Sequence, residues 1–166
     1  MKRTQRVALI GILIALSLIL GWVENMIPVS AKIPGIKLGL ANIVVVFALY
    51  KLGIGEAALL SVAKALLTSL LFGNMAGFLY SAAGAVLSYA AMVSVFRIKN
   101  VSPVGVSAIG GAAHVTAQVI TAVILTSTEE IIRFLPLLLV SGCVTGVLTG
   151  TLTAIVLNRM EGIKDA

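Results

Sequence analysis

Two rows of polar residues interrupt apolar segments and are the first candidates for chemistry. In one row Ser61, Lys64 and Thr68 are three or four residues apart, so they share one face of a helix. A second row with the same spacing comprises Ser107, Gly111, His114, Gln118 and Thr121. Inserting a lysine at the centre of a membrane span costs at least about 2.5–3.5 kcal/mol, so Lys64 is expected to face a cavity or pathway rather than lipid. His114 with Gln118 one turn later favours a polar cavity wall.

Structural roles for the same residues stay open at the level of sequence. Lys64 can pair with a carbonyl group or with Glu56, or extend its ammonium group to the membrane interface. His114 can be a hydrogen-bonded core histidine. Cys143 lies beside Gly142 in an apolar segment and is interpreted as a small packing residue.

Further polar residues are expected to collect near one end of the helices. With the orientation derived below, Lys37, Asn42, Asn74 and Glu24 lie in the outer half of the membrane. Ammonium and amide groups suit an anionic or hydrogen-bonding small solute. We therefore predict a substrate site made of Lys37, Asn42, Lys64, Asn74, His114 and Gln118.

The chain lacks the residues that several kinds of catalysis need. Its one aspartate, Asp165, lies in the tail, so there is no DDxxD-like run to hold magnesium and a diphosphate. The phosphate-binding pattern GxxxxGK[ST] does not occur, and one His with one Cys cannot form a zinc site. We therefore predict no catalytic residue, no metal site, no cofactor and no enzyme activity in this chain.

The composition indicates the elements that must position these residues. Of 166 residues 60% are apolar and 11% are charged, with a mean hydropathy of +1.14, whereas soluble domains are about 45–50% apolar and about 25% charged. So small a globule cannot hide this much hydrocarbon from water. The composition excludes a disordered chain and a disulfide scaffold and predicts an all-α integral membrane protein.

Six transmembrane helices are predicted within a single domain, 1–166. Their expected bounds are 7–23, 38–50, 54–72, 75–96, 104–127 and 134–157. The first is interpreted as a retained helix rather than a signal peptide, because no small-residue cleavage site follows it. The second is shorter than the ~20 residues that cross a bilayer, so it is expected to be short, tilted or partly re-entrant.

The net charge of +6 is distributed as membrane topology requires. With the N-terminus inside, the inner segments hold eight Lys or Arg residues and the outer segments three. The positive-inside rule therefore predicts that both termini are cytoplasmic. Basic residues occur in ones, twos and threes between apolar blocks, which argues against nucleic acid as a partner.

Small residues mark faces where helices can approach closely in lipid. Gly142, Gly146 and Gly150 form a doubled GxxxG pattern, and a similar row comprises Gly77, Ser81, Gly84 and Ser88. Both rows are open to intramolecular packing and to contact with a partner. A third small-residue face, in the first helix, comprises Ala8, Gly11 and Ala15.

Several segments resemble the Gx transporter family, whose members are often labelled heptaprenyl diphosphate synthase component I. The resemblance covers about residues 6–157. The matching segments are Pro34–Ile43, Phe72–Asn74, Leu79–Gly84 and Val106–His114 with Gln118. The segment Pro34–Ile43 is the most specific of them. One departure is Val115, where an Asn is expected beside the family's His.

This family is similar in layout to the S-components of energy-coupling factor (ECF) transporters. The resemblance implies an S-component-like bundle of six helices that binds a vitamin or cofactor precursor from outside. It also implies docking through Ala8, Gly11 and Ala15 on a transmembrane coupling subunit driven by two ATPase subunits. The loop 24–37 would then cap the pocket.

The expected function is uptake of a small solute across a bacterial-type cytoplasmic membrane, in contact with lipid and energised by partner ATPases. The alternative is a non-catalytic membrane subunit associated with a prenyl diphosphate synthase or a quinone pathway. A self-contained carrier is disfavoured, because residues 1–80 and 81–166 show no convincing inverted repeat.

Overall fold

The structure, a computed structural model, describes residues 3–26, 39–72, 75–98 and 100–162. Within these ranges it leaves out the side chains at 24–25, 69, 72, 75–77 and 161–162. The described residues contain no strand, which confirms the all-α class. Their six α-helices are α1 (Arg3–Met26), α2 (Asn42–Lys51), α3 (Ile54–Phe72), α4 (Met75–Phe96), α5 (Pro103–Thr126) and α6 (Leu135–Gly162). A 3-10 helix, Glu129–Phe134, precedes α6.

The outer surface of the bundle is suited to lipid. Large apolar side chains are exposed on the long helices, including Ile12 at 64%, Leu70 at 80% and Ile124 at 71%. Four stretches are long and apolar enough to cross a membrane: Arg3–Val23, Phe78–Phe96, Pro103–Thr126 and Glu129–Met160. The protein is therefore a multi-pass membrane protein in contact with lipid, and the count of six spans stays a prediction.

Helix α2 is short and buried. Its ten residues span about 15 Å, half of a hydrocarbon core of about 30 Å. Six consecutive residues from Val44 to Leu49 are buried, as expected for a helix that is apolar all round. It packs against α1, α3, α5 and α6, so the core of the bundle is built around it.

The start of α2 differs from the predicted span. The apolar segment begins at residue 38, but the helix begins at Asn42. Gly39 has a φ of +68°, which an α-helix does not accept. The carbonyl of Gly39 instead accepts a hydrogen bond from the backbone N–H of Asn42 at 2.8 Å, which closes a turn.

A tight turn at Gly53 joins α2 to α3. Gly53 has a φ of +113°, and the amides of Leu52 and Gly53 both donate to the carbonyl of Ala48. Such a glycine ends a helix without steric penalty. Because the chain reverses direction at this turn, the first residue of α2 lies at the level of the middle of α3.

The end of the bundle at this turn, here called the Gly53 end, is held by contacts between helix termini. Arg6 of α1 forms an ion pair with Glu56 of α3 at 2.9 Å. The Tyr50 hydroxyl donates to the carbonyl of Val101 at 2.9 Å. Thus α1, α3 and α5 begin at the Gly53 end, and their other ends form the opposite end of the bundle, here called the Met26 end.

Helices α5 and α6 meet through glycine. A Cβ placed on Gly111 would lie 2.1 Å from the carbonyl oxygen of Gly142, and one on Gly146 would lie 2.5 Å from that of Ser107. The Ser107 and Thr149 hydroxyls are hydrogen-bonded at 2.8 Å within this contact. The glycine row of α6 therefore serves packing inside the chain.

This close approach predicts the effect of one methyl group on stability. In Gly146→Ala the new Cβ would meet backbone atoms of α5, so we expect a loss of about 1–3 kcal/mol. The measurement is the midpoint temperature for retention of monodisperse protein in detergent.

Gly11→Ala is the matched control, because no atom lies within 4 Å of its added Cβ. Helix propensity alone should keep or raise its midpoint. Equal midpoints for the two variants would contradict the α5–α6 contact.

Candidate binding cavity

A cavity of about 90 Å³ lies inside the bundle and is lined by all six helices. Since one water needs about 10–15 Å³, it has room for several water-sized groups. Its lining residues are Gly21, Gly39, Ala41, Asn42, Lys64, Ala65, Thr68, Ser81, Ala85, Gly111, His114, Val115, Gln118, Gly142 and Thr145. Every helix must therefore keep its position for the cavity to form.

The cavity lies on one side of α2 along the bundle. Asn42, the first residue of α2, lines it, whereas the buried residues Val44–Leu49 lie beyond, toward the Gly53 end. Gly21 lines it five residues before α1 ends. The cavity thus occupies the half of the bundle nearer the Met26 end, and α2 closes it on the other side.

Lys64 and Asn42 form a direct contact in the lining. The Lys64 Nζ donates a hydrogen bond to Oδ1 of Asn42. Lys64 lies midway along α3, and if α3 spans the membrane as predicted, a charge at this position would be costly in lipid. Glu56, an alternative partner considered from the sequence, instead pairs with Arg6. The amide of Asn42 therefore helps to hold the ammonium group at the cavity.

His114 is packed against a gap in α4. A Cβ placed on Gly84 would lie 2.6–2.8 Å from three imidazole atoms, Cε1, Nδ1 and Nε2. Gly84 is buried, and the ring occupies the space that a side chain there would fill. The absence of a side chain at Gly84 therefore determines how far the imidazole extends into the cavity.

A family model for heptaprenyl diphosphate synthase component I matches residues 13–156. The chain belongs to this family. The match confirms the resemblance that the sequence motifs indicated, and it spans every residue of the cavity lining. Comparisons with curated proteins and with solved structures found no significant match.

In this member of the synthase-component family, some residues of the polar row on α5 line the cavity, and another packs against α6. Gly111, His114 and Gln118 line the cavity. Ser107, one turn before Gly111, is 3% exposed and hydrogen-bonded to Thr149. Helical spacing places these residues on one face but does not separate the cavity residues from the packing residue.

Four of the six predicted substrate residues meet in the cavity: Asn42, Lys64, His114 and Gln118. The other two, Lys37 and Asn74, lie outside the described residues. Val115, the departure from the expected family pattern, is also in the lining and adds an apolar wall.

Two other lining residues were not predicted to face the cavity, because their rows were left open to packing within the chain or to contact with a partner. Ser81 and Thr145 belong to rows of small residues on α4 and α6, and both rows contribute to the cavity. The available signal was spacing, because Ser81 precedes Gly84 by three positions and Thr145 follows Gly142 by three.

The described lining suits binding of a small polar molecule. It offers one ammonium group, one imidazole, two amides and three hydroxyls, on Thr68, Ser81 and Thr145, but no carboxylate. In the described ranges no three His, Cys, Asp or Glu side chains come together in a cluster suited to a metal ion.

The contact between Gly84 and His114 predicts a spectroscopic effect. His114 is the chain's one histidine, so ¹³C-labelled histidine gives a single imidazole signal in detergent. Gly84→Ala should shift this signal, since the added methyl displaces the ring.

Gly55→Ala is the matched control, because no atom lies within 4 Å of its added Cβ. The control should leave the signal in place. An unchanged signal in Gly84→Ala would show that the ring does not occupy this gap.

Proposed function

We propose that the protein is a substrate-binding membrane subunit for uptake of a small solute, such as a vitamin or cofactor precursor, with energy supplied by partner ATPases. The observation that carries the proposal is a cavity that holds polar side chains and is lined by all six helices, whose outer surface is apolar. Such a cavity gives a polar solute a place inside the membrane that lipid does not.

The predicted orientation gives the cavity a direction. With cytoplasmic termini, the Gly53 end faces the cytoplasm and the cavity occupies the outer half of the bundle. The apolar body of α2 then separates the solute from the cytoplasm. A protein that collects a solute from outside a bacterial-type cytoplasmic membrane needs this arrangement.

Release of the solute on the inner side requires work that this chain does not perform alone. The sequence has no GxxxxGK[ST] phosphate-binding loop, so the chain does not hydrolyse ATP by that route. In this proposal a transmembrane coupling subunit and two ATPase subunits move the loaded protein, as the resemblance to S-components implies.

The exposed face of α1 supports docking on such a subunit. Ala8, Gly11 and Ala15 are all exposed. The opposite face of α1 carries Leu13 and Ser17, which are 6% and 1% exposed and are packed into the bundle. Small residues on a free face let a partner helix approach closely in lipid.

A second function is favoured by the family's description. A component of a synthase implies a partner protein, and the chain would then be a non-catalytic membrane subunit for a prenyl diphosphate synthase or a quinone pathway. The cavity would in that case hold a small molecule for the assembly rather than for transport.

Purification from native membranes separates the two functions and tests the docking face. The tagged wild-type chain should retain a coupling subunit and two ATPases. Gly11→Trp should reduce their recovery at least about tenfold, because its bulky side chain would keep the partner helix from packing closely. A tenfold loss corresponds to about 1.4 kcal/mol of binding free energy.

The matched control is Val140→Trp on the lipid-exposed face of α6, where Val140 is 63% exposed. It should retain the partners. Recovery of a prenyl synthase alone would contradict uptake, and equal recovery with Gly11→Trp would contradict the docking face.

A further inference from the structure

We infer that Lys64 and Asn42 form an anion-binding site and that the solute carries a single negative charge, as a carboxylate does. This inference rests on the proposed solute-binding role of the cavity. It goes further by naming the chemical class of the solute and the side chains that recognise its charge.

The position of Lys64 is the first step. Its side chain lines the cavity, and its Nζ is fixed there by a hydrogen bond to Oδ1 of Asn42. An ammonium group held in a cavity with apolar surroundings attracts an anion more strongly than one in water does, because the local dielectric constant is lower. The same group makes charge-assisted hydrogen bonds to a carboxylate.

The rest of the lining agrees with an anionic group. The described lining contains no Asp or Glu that would repel it. The described carboxylates with a reported position lie elsewhere, with Glu56 paired to Arg6 and Glu129 and Glu130 in the 3-10 helix. The amide of Gln118 and the imidazole of His114 add donors to the same cavity.

The N-terminus of helix α2 also favours an anion in the cavity. It begins at Asn42, and residues 39, 41 and 42 line the cavity. The positive end of its dipole therefore lies at the site, and this end stabilises anions. Broken or half-length helices present their N-termini to anionic solutes in the same way in other membrane proteins.

Size and charge select the class of anion. The cavity of about 90 Å³ accepts a carboxylate of three heavy atoms with a small part of the solute attached. The described lining has one lysine, and Ala65, Ala85 and Val115 supply an apolar wall. A small solute with one carboxylate and an apolar portion matches these features.

The test uses the full chain in detergent with ¹³C-labelled His114 as the reporter inside the cavity. The probes are acetate and acetamide, which have nearly the same shape but differ in charge, with inorganic phosphate as a third probe. At constant ionic strength and pH, acetate should shift the His114 signal saturably. Its affinity should exceed that of acetamide at least about tenfold.

Lys64 variants show whether the preference comes from its charge. Lys64→Gln keeps a hydrogen-bonding side chain but removes the charge, so acetate should bind no better than acetamide. Lys64→Arg should restore part of the preference. Lys51→Gln, which removes a charge at the Gly53 end, should behave as the wild type.

Several results would overturn the inference. These are equal affinities for acetate and acetamide, no saturable effect of acetate, or an unchanged preference in Lys64→Gln. Tighter binding of phosphate than of acetate would overturn the assignment of a singly charged carboxylate. If ATPases are recovered with the chain but acetate and acetamide bind equally well, the uptake function would stand and the anion site would be overturned. If acetate is bound selectively but no ATPase is recovered, the anion site would stand and the uptake function would be overturned.

Discussion

A lysine midway along a helix of membrane length has to be kept out of lipid, and the bundle is arranged around that constraint. Lys64 faces inward, where Asn42 accepts a hydrogen bond from its ammonium group. This contact requires α2 to begin at the depth of Lys64, so the helix has only ten residues before the turn at Gly53. A full-length span in place of α2 would fill the space in which the cavity lies.

The same arrangement divides the interior into two halves. Toward the Gly53 end, α2 fills the bundle with apolar side chains, and the fully buried Thr153 of α6 donates to the carbonyl of Thr149 in its own helix at 2.9 Å. Toward the Met26 end, none of the described helices occupies the centre, and polar side chains line the cavity there. The apolar core and the cavity thus occupy different lengths of the same helices.

Glycine has two opposite roles in these walls. Between α5 and α6 the absence of side chains lets the two backbones come into contact, as at Gly111 and Gly142. At Gly84 the absence of a side chain lets an imidazole from another helix occupy the space. Both uses look alike in the sequence, because each is a small residue at helical spacing.

Apolar segments predict the bounds of two helices correctly but miss those of others, such as α1, which was predicted over 7–23 and extends over Arg3–Met26. Helices α3 and α4 have the bounds that apolarity indicates, 54–72 and 75–96. Apolarity fails at α2, where the backbone conformation of Gly39 delays the helix to Asn42. It also fails at α6, which continues to Gly162 because a helix can extend beyond its apolar residues.

Composition and spacing also identify Asn42, Lys64, His114 and Gln118 as site candidates, since polar groups in apolar helices need partners. They do not predict which of these residues touch. The contact of Lys64 with Asn42 depends on the Gly53 turn, and that of His114 with Gly84 depends on how α4 and α5 pack.

The central claim is that the cavity holds a small solute through Lys64. Native mass spectrometry of the wild-type chain, released from its own membranes without added ligand and compared with Lys64→Gln, tests it most directly. We expect a non-lipid small molecule bound one to one to the wild type and largely lost from the variant. The same lipid adducts on both proteins, with no other bound molecule, would contradict the claim.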